Sequence, residues 1–370
     1  MALKYRHSDL AYLSAFLKES AFDTHETVDA SGGYSLSEFE LSVSYDHTVR
    51  SDSPGAGVEM GFEQYVARKT YTATLTFPFL RPNDLAFLCA FGLGTSTADQ
   101  DDANTAYEHY SDLATDDDQI PFSLMWSEAG IQQDLTGCTI SSFTVSLAGE
   151  YWSGTAEIVG TRTATSSDTY PAEISEQPFI ASNAKFYTET GANVDITATA
   201  SVSLEQENIS AAAATDISGV VTDFSFTVNN NPKSDMDFLV QNTDDNYCRG
   251  QAKRGAKREV YFEWTQTYEA ATHLTTLEGA AGVSTHMAME CLHKEEDQGV
   301  IDGGAYYFGF SFIITRGRLD AIGSSSDSDG VLTQNLRLTA MTPTDADEGA
   351  GSNSQPVMVH IYNAQAAYMG

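Results

Sequence analysis

Residues Val221–Val228 read VTDFSFTV and run straight into Asn229, Asn230 and Asn231. The same pattern recurs at Leu36–Val43, LSEFELSV, and at Ile140–Leu147, ISSFTVSL. Each copy opens on an aliphatic residue, passes two polar residues, reaches Phe and then alternates polar with apolar. Alternation of period two places successive side chains on opposite faces of a sheet, so each copy reads as a strand with one face on a core and the other wet. Phe39, Phe143 and Phe224 are therefore expected in the core, each contributing about 1.5–3 kcal/mol on burial. Trp264, with Trp126 and Trp152, is expected as a core or interface anchor. A repeated β unit with no catalytic motif attached points to assembly rather than chemistry.

Working outward, the period-two pattern dominates the chain. Tyr71, Ala73, Leu75 and Phe77 alternate with threonines, as do Val260, Phe262 and Trp264 with Tyr261, Glu263 and Thr265. Val194–Val202, Tyr306–Ile314 and Leu336–Thr339 repeat it. Helices are few: Ser8–Lys18, Asn83–Phe91 behind Pro82, and Ala270–Leu277 before Gly279. Strand 36–45, a polar loop, strand 66–79 and helix 83–91 in the first half match strand 221–228, a polar loop, strand 257–268 and helix 270–278 in the second. Order and length together predict a mainly β protein divided as an N-terminal arm (1–30), a first β domain (31–165), a second (166–345) and a C-terminal tail and strand (346–370). Thr163–Thr169 reads as the linker between halves. Asp99–Asp118 and Ala321–Asp329 read as acidic loops.

The 370 residues carry 52 acidic and 19 basic side chains, a formal net charge of −33. Dense carboxylates keep a surface hydrated in molar salt, where the Debye length shrinks to about 3 Å. The composition thus points to a halophilic setting and argues against nucleic-acid affinity, which needs clustered Lys and Arg. Lys253, Arg254, Lys257 and Arg258 form one local basic cluster, expected to pair with a neighbour's carboxylates. The four cysteines are dispersed and read as buried thiols. No apolar run reaches the roughly 18 residues of a membrane span, and no secretory leader is read at the start.

Enzyme motifs are missing: no G-x-S-x-G, no H-E-x-x-H, no phosphate-binding glycine loop. Asp327–Gly330 resembles part of a calcium loop but has Leu336 where the ligating Glu belongs. His109 beside Glu108, and His293 near Glu290 and Glu295, are weak metal candidates. No cofactor is expected; the acidic loops at Asp99–Asp102 and Asp116–Asp118 could hold K⁺, Mg²⁺ or Ca²⁺ loosely.

The strand order, the VTDFSFTVNNN stretch with its long loop and the following KREVYFEW (Lys257–Trp264), and the central GCTISSFTVSLAGEYWSGTAEIVGTRT (Gly137–Thr163) resemble the major tail tube protein of long-tailed, siphovirus-type viruses. The resemblance covers roughly Glu19 to Thr342. It implies two tandem tail-tube-type β-sandwich or partial-barrel units with short flanking helices, forming an intersubunit β-barrel. With two units per chain, three chains supply six, so it implies a homotrimeric, pseudo-sixfold ring, with a hexamer as the alternative. It implies stacking of rings into a conduit for genome DNA, contacts with tape-measure, terminator and distal tail proteins, no membrane partner, and location in the virion tail. With the acidity, it suggests a virus of a halophilic archaeon.

On that reading Glu40, Ser42, Thr72, Thr74, Ser225, Thr227 and Glu263 line the lumen. The loops Asp46–Tyr65 and Asn229–Arg254, with Asp46, Arg50, Asp52, Asn229, Asn230, Asn231, Lys233, Asp235, Lys253 and Arg254, are ring-stacking arms. The competing readings are a non-enzymatic cell-surface or virion adhesin, and a secreted β-rich hydrolase with two carboxylates about 5–10 Å apart.

Overall fold

The structure, a computed structural model, describes residues 13–28, 32–37, 40–52, 63–100, 106–114, 119–128, 131–165, 170–171, 174, 176–190, 215–232, 254–267, 285–293, 300–302, 306–326, 332–341, 355–366 and 368. In chain order come β1 (Leu13–Lys18), β2 (Tyr34–Leu36), β3 (Glu40–Asp52), β4 (Glu63–Phe77) and the helix α1 (Pro82–Leu93). There follow β5 (Thr97–Gln100), β6 (Tyr107–Asp112), β7 (Phe122–Glu128), β8 (Ile131–Ala148), β9 (Tyr151–Gly160) and β10 (Arg162–Thr165). The second half holds β11 (Ala184–Thr190), β12 (Thr215–Asp216), β13 (Val221–Asn229), β14 (Glu259–Thr267) and β15 (Thr285–Leu292). The last are β16 (Val300–Asp302), β17 (Tyr306–Tyr307), β18 (Gly309–Ser326), β19 (Leu332–Ala340) and β20 (Val357–Asn363). The protein is mainly β, and all but β16 and β17 join one large sheet of 18 strands.

One antiparallel run of that sheet reads β3–β4–β9–β8–β13–β14–β19–β18. Within it the order β3–β4–β9–β8 recurs as β13–β14–β19–β18. The long strands β8 and β18 each serve twice. The start of β8 pairs with β7 and β10, and β7 leads on to β1 and β2. A bulge between Ile140 and Ser142 marks the point where β8 changes neighbours. The start of β18 lies between β15 and β20; β15 leads to β11 and β12, and β20 to β6 and β5.

Alternation explains the core. Leu41, Ala73, Leu75, Phe143, Phe224, Phe226, Phe262, Trp264, Leu336 and Leu338 point inward from the eight-strand run and are buried. Across the core they meet Phe186, Phe310 and Phe312: Phe226 lies 4.4 Å from Phe312 ring to ring, Phe224 5.1 Å from Phe186, and Trp152 5.2 Å from Phe310. Aromatic pairs at such separations add to what area burial supplies.

Helix α1 is buried along its whole length. Its rings interlock with the sheet, Phe87 lying 4.4 Å from Phe16 and Phe91 4.9 Å from Phe122. Pro82 opens the helix, where its missing N–H costs nothing. Arg81 provides no side-chain cap, and Glu176 substitutes from a distant segment, accepting from the Asn83 N–H at 2.8 Å. At the other end Gly94, at φ 92°, closes the helix in the left-handed region.

Several expectations are revised. Leu13–Lys18 is strand β1, not helix, because it pairs on both sides, with β2 and β7; residues 8–12 lie outside the described residues. Thr163–Thr165, read as linker, belong to β10 and pair with β8. Within the two acidic passages read as loops, β5 and β6 form a hairpin and β18 runs on to Ser326. Ala270–Leu277, Val194–Val202, Phe39 and the Asp327–Gly330 fragment lie outside the described residues. Strands on either side of residues 165/166 pair with one another, β8 with β13 and β6 with β20. Helix α1 and the strand near the C-terminus stand as read.

Candidate functional site: a hydroxyl-rich sheet face

The side of the eight-strand run that faces away from the core collects the polar half of every alternating strand. Register aligns these residues into rows. One row runs Thr76, Thr155, Thr144, Thr227, Tyr261, Thr339 and Arg318. The next runs Ser42, Thr74, Glu157, Ser142, Asn229 and Glu259. A third runs Ser153, Ser146, Ser225, Glu263, Arg337 and Asp320.

The residues expected to line a lumen are thus brought together. Ser42, Thr72 and Thr74 are exposed, and Ser225, Thr227 and Glu263 are half-buried on the same face. Glu40 holds the register position opposite Thr76. Hydroxyls tie neighbouring strands: Thr144 to Thr227 at 3.1 Å, Ser146 to Ser153 at 3.0 Å, and Thr265 to Asn335 Oδ1 at 3.0 Å.

Among the residues whose side chains are described, the charges on this face are Glu157, Asp223, Glu259, Glu263 and Asp320 against Arg318 and Arg337. Both arginines are engaged. Arg337 Nε donates to Glu263 Oε1 at 2.6 Å, its Nη2 donates to the same oxygen, and its guanidinium lies 4.4 Å over the Tyr261 ring. The hydrogen bonds it donates to Glu263 hold the Arg337 pKa above its usual value. Arg318 Nε donates to Asp320 Oδ2 at 3.0 Å. What remains is a surface of hydroxyls and surplus carboxylates. Among the described side chains of these strands, no cation is left over for the phosphate contacts that nucleic-acid binding requires.

The two segments read as stacking arms differ from one another. Asp46, Arg50 and Asp52 lie within β3 rather than in a loop, in register with Thr70, Tyr65 and Glu63 of β4. β9 pairs only with Tyr71–Phe77 of β4. Among the described residues, the hairpin beyond that point is therefore a two-stranded ribbon, a form marginal on its own. In the second segment Asn229 lies on the polar face. Asn231, at φ 47°, turns the chain, and its Nδ2 donates to the Lys257 carbonyl.

Asn230 is not a surface contact. It is 1% exposed, and its Nδ2 donates to the carbonyls of Gly92 and Ile140 at 2.8 and 2.9 Å. Arg258 of the basic cluster is likewise turned inward, donating to the Leu93 carbonyl at 2.9 Å. Burial, then Arg254 nearby, pulls the Arg258 pKa down to about 9. Both residues satisfy the orphan carbonyls at the end of α1, where a cation also meets the negative pole of the helix. Arg254 forms a bridge with Pro232; Lys233, Asp235 and Lys253 lie outside the described residues.

A polar cluster that the sequence reading missed surrounds the start of α1. Asp84 accepts from the Ser37 N–H at 2.9 Å, and Glu176 lies beside it. Burial raises Asp84 to about 7 and Glu176 to about 8, each opposed by its backbone hydrogen bond. A second missed pair is His360 Nδ1 with Glu108 Oε1, 2.5 Å apart and buried between β20 and β6. Both depend on partners far apart in the chain. The only local signal was Asp84 in the first turn after Pro82.

Of the weak metal candidates, His109 contacts Asn363 Oδ1 and the Gln365 carbonyl through Nε2, and His293 meets Phe179 edge to face at 5.2 Å. Among the described residues no group of three or more His, Cys, Asp or Glu is placed to hold a metal ion, and no helix is long and apolar enough to cross a membrane. Cys89, Cys138 and Cys291 are buried thiols. Phe143, Phe224 and Trp264 are core residues, as read. No family model matches the chain, and no curated protein matches it.

Proposed function

We propose that the chain is the structural subunit of a viral tail tube: copies close into rings, and stacked rings form the conduit for genome DNA. The observation that carries this reading is the eight-strand run. One face is sealed by the core, and the other is a continuous, hydroxyl-rich surface with surplus negative charge. Such a surface repels phosphate and gives it no binding partner, so DNA slides along it.

Each four-strand order, β3–β4–β9–β8 and β13–β14–β19–β18, is one tube-type unit, backed across the core by a second layer to make a sandwich. Two units per chain and three chains per ring give sixfold pseudo-symmetry. The Asp46–Asp52 ribbon is the stacking arm, gaining from the next ring the packing it lacks alone. The acid excess suits a virion of a halophilic archaeal virus, whose tail also holds tape-measure, terminator and distal proteins.

Sedimentation velocity of the full chain in molar KCl tests the reading. Discrete rings or longer polymers that grow with protein concentration are expected. A single small species at every concentration would remove it and leave the adhesin reading in place.

A further inference from the structure

The eight-strand run has two backbone edges. Among the described residues, β3 pairs with β4 alone, and β18 beyond Gly317 pairs with β19 alone. Long open edges invite pairing with another chain. The chain already contains the joint that would satisfy them. β8, the last strand of the first four, pairs antiparallel with β13, the first of the second four. β18 and β3 are the corresponding strands at the two outer ends.

The correspondence fixes a register. Leu41 faces Leu75 in β3–β4 as Phe226 faces Phe262 in β13–β14. Leu75 faces Ala156 as Phe262 faces Leu338. Ala156 faces Phe143 as Leu338 faces Leu319. Hence Phe143 corresponds to Leu319, Thr144 to Asp320, Val228 to Val43, and Thr227 to Ser42. Within the chain Val228 faces Phe143 and Thr227 faces Thr144.

We infer that copies of this chain join by antiparallel pairing of β18 in one copy with β3 in the next, with Leu319 opposite Val43, Asp320 opposite Ser42 and Arg318 opposite Ser44. The proposal rests on the ring reading above and adds the edges and the register to it. Face parity supports it independently. Leu319 is buried and Val43 packs partly buried against the core, whereas Ser42, Ser44 and Arg318 are exposed. A slip by one residue would turn every one of these side chains to the wrong face. Ser42 stands where Thr227 bonds Thr144 at 3.1 Å, so its hydroxyl is placed to donate to the Asp320 carboxylate of the next copy. The same contact repeated head to tail closes a ring when the rotation allows, and hides both edges.

The test is cross-linking of the full chain in molar KCl. Ser42→Cys with Asp320→Cys puts two thiols where the internal joint holds hydroxyls in hydrogen-bonding contact. Mild oxidation is expected to give covalent oligomers on a non-reducing gel. Asp46→Cys with Asp320→Cys is offset by four residues, about 13 Å of strand, and is expected to give none. Ser44→Cys with Arg318→Cys repeats the in-register test without touching Asp320. If sedimentation finds rings but both in-register pairs stay uncrosslinked, or the offset pair links instead, this joint is wrong while the tube reading stands. If the unsubstituted chain never associates, the tube reading falls and takes the joint with it.

Discussion

Replacing Asn230 with Ala separates a structural clamp from a ring contact. The Asn230 amide donates to two buried carbonyls, Gly92 at the end of α1 and Ile140 in β8. Ile140 keeps a second donor, Gln119 Nε2 at 3.0 Å, so truncation leaves Gly92 as the carbonyl that loses its side-chain partner. One lost hydrogen bond contributes about 1 kcal/mol, and stranding a buried acceptor costs about 1–3 kcal/mol more. Asn230→Ala is therefore expected to lower stability by about 2–4 kcal/mol, read from urea unfolding at constant salt with an unchanged slope. Asn230→Asp should be worse, because it sets an acceptor against two acceptors. Asn229→Ala, on the wet face, loses one local bond to the Asn231 N–H and should cost under about 1 kcal/mol. A cost below about 1 kcal/mol for Asn230→Ala, together with loss of assembly by a stable monomer, would refute the clamp and restore the stacking role.

Three further outcomes follow from the same geometry. Asp84 and Glu176 titrate in the folded protein at about 7 and about 8, against about 4 when unfolded. Folded values raised in this way favour the neutral acids, so their stabilising effect is full below about pH 4 and is lost as pH rises through 7–8. Glu176→Gln should flatten the fall in unfolding free energy between pH 5 and 8 by up to about 1.4 kcal/mol per pH unit; an unchanged slope would contradict the assignment. A Cβ at Gly92 would stand 2.3 Å from Phe143 Cε1, so Gly92→Ala should destabilise by about 1–3 kcal/mol in urea unfolding despite the better helix former, while Gly219→Ala, with open space around it, should be near neutral in the same assay. The Glu263–Arg337 pair is partly exposed and strongly screened in salt, so Glu263→Gln should change unfolding free energy by less than about 1 kcal/mol.

The sequence displayed most of what period two can display. Phe143, Phe224 and Trp264 fall in the core, and Ser42, Thr74, Ser225 and Thr227 fall on one face, because alternation assigns faces without reference to neighbours. Alternation is silent about which strands pair. The pairing of β8 with β13 joins strands from the two halves of the chain, and long-range register, not local alternation, decides it. Leu10, Leu13 and Leu17 carry a helical spacing, but β2 and β7 claim Leu13–Lys18 as a strand between them, so tertiary pairing overrides a local period. Asn230 shows the same limit more sharply. An Asn-Asn-Asn run signals a turn, and it does turn at Asn231, but nothing local reveals that the middle amide is drawn inward to cap a helix well over a hundred residues earlier. The carboxyl cluster at Asp84 and Glu176 was invisible for the same reason.

The most direct test of the central claim is electron microscopy of the purified full chain in molar KCl and again at low salt. Hollow rings or tubes with threefold or pseudo-sixfold rotational symmetry are expected in molar KCl, with the hydroxyl-rich face turned to the channel and fewer assemblies when salt is withdrawn. Dispersed monomers in both conditions, or rings whose channel is lined by another surface, would contradict the account.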